Sequence, residues 1–268
     1  TQELTTDNPL IDLSLLKNYN FGVSNIMMII FSMGMFGSTF LMPLYLQNSL
    51  GYTALQSGAV FLPVGIIQGV MAPLSGRMAD KYNPKIPAIV GILIMAFSFI
   101  LNSKLSFLTE HNFIMTSLYL RGFGMGLIFT PLSTISLLTI PRDKMAQASG
   151  ISNTVRQLGG SLGVAFFTTL LTSRVKFHAQ MYGSAIEASA QQFNNVASNL
   201  ALHAQQHCGS NMGTAVQQGR YLLLSHVNKQ AYIQGISDDF WIAATITVIG
   251  IIPVIIMRTK KKNQPIKA

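Results

Sequence analysis

Hydrophobic and polar positions along the 268-residue chain fall into long blocks, not into the short alternation of strands. Long apolar windows hold no Asp, Glu, Lys or Arg, among them 18–76, 86–103, 122–141 and 240–257. A helix needs roughly 20 mostly apolar residues to cross a bilayer. Six stretches approach or exceed that length, at 21–47, 54–76, 86–103, 112–140, 146–173 and 240–257. The pattern predicts an all-α membrane protein, a bundle of six transmembrane helices. Residues 174–238 interrupt it, being polar and rich in Gln and Ala. There Ile186, Ala190, Phe193, Val196 and Leu200 form one helical stripe, and Val216, Leu223, Val227 and Ala231 a second, separated by "GSNMG" at 209–213. Two stripes with a break between them predict a helical hairpin outside the membrane. The expected divisions are a cytoplasmic linker (1–20), helices one to five (21–173), the extracytoplasmic loop (174–238), the sixth helix (239–257) and a basic cytoplasmic tail (258–268).

The six spans differ in polarity. The third carries only Ser98 within 86–101, and the sixth only Thr245 and Thr247. The first holds Ser24, Asn25, Ser32, Ser38, Thr39 and Gln47, and the second Gln56, Ser57, Gln68 and Ser75. The fourth holds Arg121, Thr130, Ser133, Thr134 and Ser136, and the fifth Ser149, Ser152, Asn153, Thr154, Arg156 and Gln157. Polar groups in hydrocarbon must be satisfied by protein or by a wet cavity. Spans one, two, four and five are therefore expected to line an interior, with three and six outside. Gly65–Gly69, Gly122–Gly126 and Gly159–Gly163 have the GxxxG spacing that lets helix backbones approach. Prolines 43, 63, 73, 131 and 253 fall inside spans and are expected to kink them.

Charge changes the picture in two ways. Only 18 Lys and Arg and 9 Asp and Glu are present, 10% of the chain, against about 25% in soluble domains. The net charge of +9 is carried mostly by loops, which speaks for membrane topology and not for nucleic acid. With both ends cytoplasmic, the inner segments hold Lys17, Arg77, Lys81, Lys85, Arg142, Lys144 and the tail Arg258, Lys260, Lys261, Lys262 and Lys267; the short outer loops hold only Lys104. That is the positive-inside pattern, and the tail reads as an anchor on an anionic inner leaflet. A single cysteine, Cys208, permits no internal disulfide. The opening "TQELTTDNPLIDLSLL" reads as part of something longer.

Two arginines lie within otherwise apolar helices. Arg156 could snorkel from the inner interface, because 157–173 alone reaches the minimum length for a span, and Arg121 could do so from the outer side. Ser149, Asn153, Arg156, Gln157 and Gly160, however, share one helical face, which argues for a wet or protein-lined wall.

"ASGISNTVRQLGGSLGVA" (148–165), "LRGFGMGLIFTPLSTI" (120–135) and "LQNSLGYTALQSGAVFLPVG" (46–65) resemble the drug–proton antiporters of the EmrB/QacA type, fourteen-span members of the major facilitator superfamily. The resemblance covers nearly the whole chain. It implies the last six spans, the C-terminal half of the fold, partnered by an N-terminal half and set in a bacterial cytoplasmic membrane. It also implies proton-driven export of amphipathic small molecules by alternating access. On this reading Asn25, Met28, Phe31, Met35, Gln68, Arg121, Phe129, Asn153, Arg156 and Gln157 are candidates for the substrate cavity, with Met27 and Phe36 beside them. Flexible methionine and aromatic surfaces suit varied compounds. "GRMADKYNPK" (76–85) resembles the superfamily's loop between the second and third helices of a half, which implies a conformational latch of Gly76, Arg77, Asp80 and Lys81. Asn83 stands where that pattern has glycine. Gly76 would allow a tight helix exit, and Asp80 would cap the next helix or pair with Arg77 or Lys81.

No Asp or Glu lies within the six stretches, which places the proton carrier in the other half. No P-loop, Ser/His/Asp arrangement or paired carboxylates speak for an enzyme, and no cofactor is expected. His203 and His207 have the one-turn spacing of metal ligands, but they sit on the polar face of the amphipathic stripe. The hairpin could cover the outer mouth, lie on the membrane or meet an envelope adaptor protein. The alternative function is a non-transporting six-span scaffold or interaction subunit from a truncated gene.

Overall fold

A computed structural model describes residues 13–137, 140–188, 195–196, 198–199 and 212–257. Among them the order is a 3-10 turn (Leu13–Lys17), α1 (Tyr19–Asn48), α2 (Ala54–Ala59), α3 (Leu62–Lys81), α4 (Lys85–Asn102), α5 (His111–Leu137), α6 (Met145–Ala188), α7 (Met212–Ile249) and α8 (Ile251–Ile256). Six helical stretches are long and apolar enough to cross a membrane: Tyr19–Asn48, Ala54–Lys81, Lys85–Asn102, His111–Leu137, Arg142–Ser184 and Tyr221–Ile256. They correspond one to one with the six expected spans.

The hairpin expected over 174–238 is built from continuations of the fifth and sixth spans. α6 runs unbroken for 44 residues and α7 for 38. At 1.5 Å per residue α6 is about 66 Å long, twice the ~30 Å hydrocarbon core. Helix formers such as Ala, Gln and Met follow Arg174 without proline, so nothing stops the helix at 173. Along the second stripe Leu223 and Val227 are half-buried and Ala231 is buried. Residues 1–12, 189–194, 197 and 200–211, with the His203–Cys208 motif and much of the first expected stripe, and the basic tail 258–268 lie outside the described residues.

The prolines act in two ways. Pro43, Pro73 and Pro131 sit inside continuous helices. Pro63 and Pro253 do not: α2 ends at Ala59 and α7 at Ile249, each four residues before the proline. A proline ring clashes with the carbonyl four residues back, and here the helix yields at that position.

α1 packs on α6, α5 packs between α3 and α4, and α7 packs on α6, α4 and α1. α4 and α7 keep apolar side chains outward (Val90, Leu93 and Phe97; Trp241, Val248 and Ile249), as their sequences suggested. The most exposed spans are the second and the fifth, which leave Ile66 and Val70 on α3 and Leu158 and Leu162 on α6 uncovered. Two glycine pairs seat backbones: Gly122 and Gly126 on α3, and Gly159 and Gly163 on α1. The third expected pair does not. Gly65 and Gly69 have nothing within 4 Å of a would-be Cβ, because α3 meets α5 through its other face.

The bundle has two distinct ends. At one, Lys85 Nζ donates to the Ile255 carbonyl (2.9 Å) and Leu15, Phe21, Ile140, Ala148 and Ile151 form a small cluster. This end collects Lys17, Arg77, Lys81, Arg142 and Lys144. At the opposite end Tyr45 donates to the Ser106 carbonyl (2.6 Å) and Asn48 to Tyr232 Oη (2.9 Å).

Candidate functional site

A cavity of about 820 Å³ opens on the uncovered side of the bundle, between α1, α3, α5 and α6. Its wall is Met35 and Phe36 from α1, Gln68 from α3, Phe129 from α5, and Arg156, Gln157, Gly160, Ser161, Val164 and Ala165 from α6. The polar stripe of the fifth span is thus one side of this wall. Gly160 lets the Phe36 ring lie against α6, since a Cβ there would come within 2.8 Å of the ring.

Arg156 lies eleven residues into α6, roughly 16 Å along the axis, and does not snorkel to the helix end. Its guanidinium sits 4.6 Å from the Phe129 ring centroid and bonds Asn153 Oδ1. Such stacking fixes a flat cation while leaving its edge available. Among the lining residues Arg156 is the one formal charge. The wall is therefore methionine, aromatic and amide surface around one cation.

Five candidates do not line the cavity: Asn153 only bonds Arg156, and four lie elsewhere. Asn25, Met28 and Phe31 are buried in the bundle and do not line the cavity. Much of the first span's polarity is spent on its own backbone: Ser24 donates to the Asn20 carbonyl (2.7 Å), Asn25 to Phe21 (2.8 Å) and Ser38 to Gly34 (2.6 Å). A small polar side chain that bonds the preceding turn needs no water. Arg121 is 1% exposed and neither snorkels nor reaches the cavity. It donates to the carbonyls of Met35 (3.1 Å) and Ser38 (3.4 Å), to Ser38 Oγ (3.2 Å) and to Thr39 Oγ1, beneath the Phe99 ring at 5.5 Å. It ties α5 to α1 and α4.

The latch segment also differs from expectation. α3 continues through Lys81, so Gly76 is a helical residue packed near Thr130 and not a helix exit. Asp80 is exposed and makes no ion pair with Arg77 or Lys81 among the described residues. The start of α4 is bonded by Asn83, whose Oδ1 accepts from Lys85 N (3.1 Å). Asn83 does this without left-handed geometry, since no described non-glycine residue has positive φ.

One feature escaped the sequence pattern. The sixth membrane-length stretch, Tyr221–Ile256, includes Asp238 and Asp239, and Asp239 is fully buried. Asp239 stands at the edge of the sixth apolar stretch, yet it is enclosed by the bundle, because α7 begins well before it and packs on α6, α4 and α1.

Residues 4–164 match the family model described as Major Facilitator Superfamily. The chain is 32% identical over 98% of its length to the uncharacterized MFS-type transporter YhcA of Bacillus subtilis, covering 49% of that protein. It is 31% identical to the multidrug export protein EmrB of Escherichia coli, with 92% of this chain and 47% of EmrB aligned. It is 29% identical to the fatty acid resistance protein FarB of Neisseria gonorrhoeae, with 94% and 48% aligned. The chain spans about half the length of the curated relatives it matches.

Proposed function

We propose that this chain, which belongs to the major facilitator superfamily, forms the C-terminal half of a proton-driven multidrug efflux transporter that exports amphipathic compounds by alternating access. The observation that carries the reading is the cavity on the uncovered side of the bundle, walled by Met35, Phe36, Gln68, Phe129, Arg156 and Gln157. Methionine and aromatic side chains repack around unlike apolar bodies. Arg156 receives the polar or anionic end of the compound through the donors that Asn153 leaves unused, while its face rests on Phe129. The exposed rows of α3 and α6 meet an N-terminal half, and the cavity closes between the two halves. The similarity to proteins named for multidrug export and fatty acid resistance supports this class of cargo.

The basic end faces the bacterial cytoplasm and the hairpin faces outward, where an envelope adaptor protein can meet it. Arg77, Asp80 and Lys81, exposed at the end of α3, act as the latch against the other half. The test is substrate protection in the whole transporter. A cysteine at Gln157 should be shielded from thiol reagents by a transported compound, and a cysteine at Leu108 should not. Equal labelling of Gln157→Cys with and without compound, under conditions of active efflux, would refute the cavity as the binding site.

A further inference from the structure

The buried carboxylate is used by neither the cavity nor the latch. Asp238 and Asp239 are consecutive on α7, so their side chains leave the helix about 100° apart. Asp238 turns towards α6: its Oδ2 lies 2.8 Å from His178 Nε2 and 3.9 Å from Arg174 Nε. This group is partly open to water, with the side chains of Asp238 and Arg174 32% and 42% exposed. Asp239 is enclosed. It has no exposed surface, and neither carboxylate oxygen has a hydrogen-bond partner among the described residues. His178 Nδ1 is also buried and unpartnered there.

An ionised carboxylate shut away from water without a partner is far more costly than the neutral acid. The charges around Asp239 do not offset that cost. On its own helix stand Asp238, which repels an anion, and Tyr232, whose hydroxyl accepts from Asn48 and makes no hydrogen bond to Asp239. From α6 come Arg174 and His178, both turned to Asp238. α1 carries no charged residue and α8 none; at this end α1 supplies Tyr45, bonded to Ser106, and Asn48. The one charge on α4, Lys85, is at the basic end. Lys104 and Lys229 are exposed.

We propose that Asp239 is a proton-binding carboxylate of this half, with the adjoining His178–Asp238 pair as its route to water at the end opposite the basic loops. A proton from that phase adds to a carboxylate oxygen and makes Asp239 a neutral acid that the closed packing tolerates. When α6 and α7 part enough to admit water or a counter-charge, the same O–H bond breaks and the proton leaves. The site has a packed connection to the cavity. Phe240 lies against Phe99 (centroids 6.2 Å apart), Phe99 underlies Arg121, and Arg121 holds the carbonyl of Met35, a cavity residue. Coupling of this proton to export rests on the antiport proposed above; the proton site itself does not.

The experiment separates the two. In the purified, reconstituted whole transporter, infrared spectra across a pH titration should show a protonated carboxyl band that persists at neutral pH. The band should vanish in Asp239→Asn, remain in Asp238→Asn, and shift in Asp239→Glu. Absence of the band at neutral pH, or its survival in Asp239→Asn, overturns the site. Efflux driven by a pH gradient is measured on the same samples. Asp239→Asn should lose most of it while substrate still binds the cavity. Full gradient-driven efflux in Asp239→Asn overturns the coupling. If the parent shows the band but its efflux ignores the gradient, the proton site stands and the antiport reading fails.

Discussion

Arg156 and Arg121 carry the same group into opposite surroundings. Arg156 rests on an aromatic face at a cavity wall, and a cation–π contact of this kind contributes about 0.5–2 kcal/mol. Lysine keeps the charge but loses the planar fork. Arg156→Lys and Arg156→Ala should both reach the membrane at normal levels and lose most drug efflux, read by a resistance assay beside an expression blot. Full activity in Arg156→Lys would reduce the residue to a solvated charge. Arg121 meets no cavity and instead satisfies two carbonyls and two hydroxyls inside the bundle. Leaving such acceptors unmet costs about 1–3 kcal/mol. Arg121→Lys should therefore lower the thermal midpoint of the purified transporter, whereas Arg156→Lys should not. The two profiles, one of stability and one of transport, distinguish a tether from a binding residue.

Among elements, three glycine pairs with identical spacing meet different neighbours. A Cβ on Gly126 would press on Met71 Cβ at 2.5 Å and on the Gln68 carbonyl at 3.1 Å, in the seam between α3 and α5. A Cβ on Gly69 meets nothing within 4 Å. Overpacking a helix seam costs about 1–3 kcal/mol or more. Gly126→Leu should sharply reduce the yield of monodisperse protein, and Gly69→Leu should leave the fold of this half intact. Since Gly69 lies on the exposed face that the proposed N-terminal half would cover, Gly69→Leu should depress efflux despite normal folding. Equal yields for the two variants would mean that α3 does not press on α5 through these glycines.

For the whole molecule, the clustering of the basic loops at one end makes orientation testable. With Cys208 replaced, a single cysteine at Asn83 or Lys144 should be hidden from impermeant thiol reagents in intact cells, and one at Leu108, 91% exposed at the opposite end, should react. The reverse pattern would invert the topology. The open cavity makes a second prediction. A half whose α3 and α6 rows lack a partner cannot close around cargo, so these 268 residues expressed alone should insert yet confer no resistance. Gradient-dependent efflux from the purified chain in liposomes would contradict that.

Span number, helix type, the clustering of positive charge and the wet face of the fifth span follow from local rules. Apolar length, loop charge and 3.6-residue periodicity act within one segment and need no knowledge of its neighbours. Met35, Gln68, Phe129, Arg156 and Gln157 were legible as cavity candidates for that reason, each lying on a face whose polarity or softness is local. What the segments do to one another was not legible. Serine and asparagine on the first span look the same in sequence whether they meet water or their own preceding turn. Arg121 looks like Arg156 until α1 supplies its acceptors. Gly65–Gly69 looks like Gly122–Gly126 until α5 takes the other face of α3. Asp239 stands at the edge of an apolar stretch, and its burial shows only once α7, which begins at Met212, more than seven turns earlier at about 3.6 residues per turn, packs on its neighbours. Burial and partnership are properties of pairs of helices, and only the packed bundle decides them.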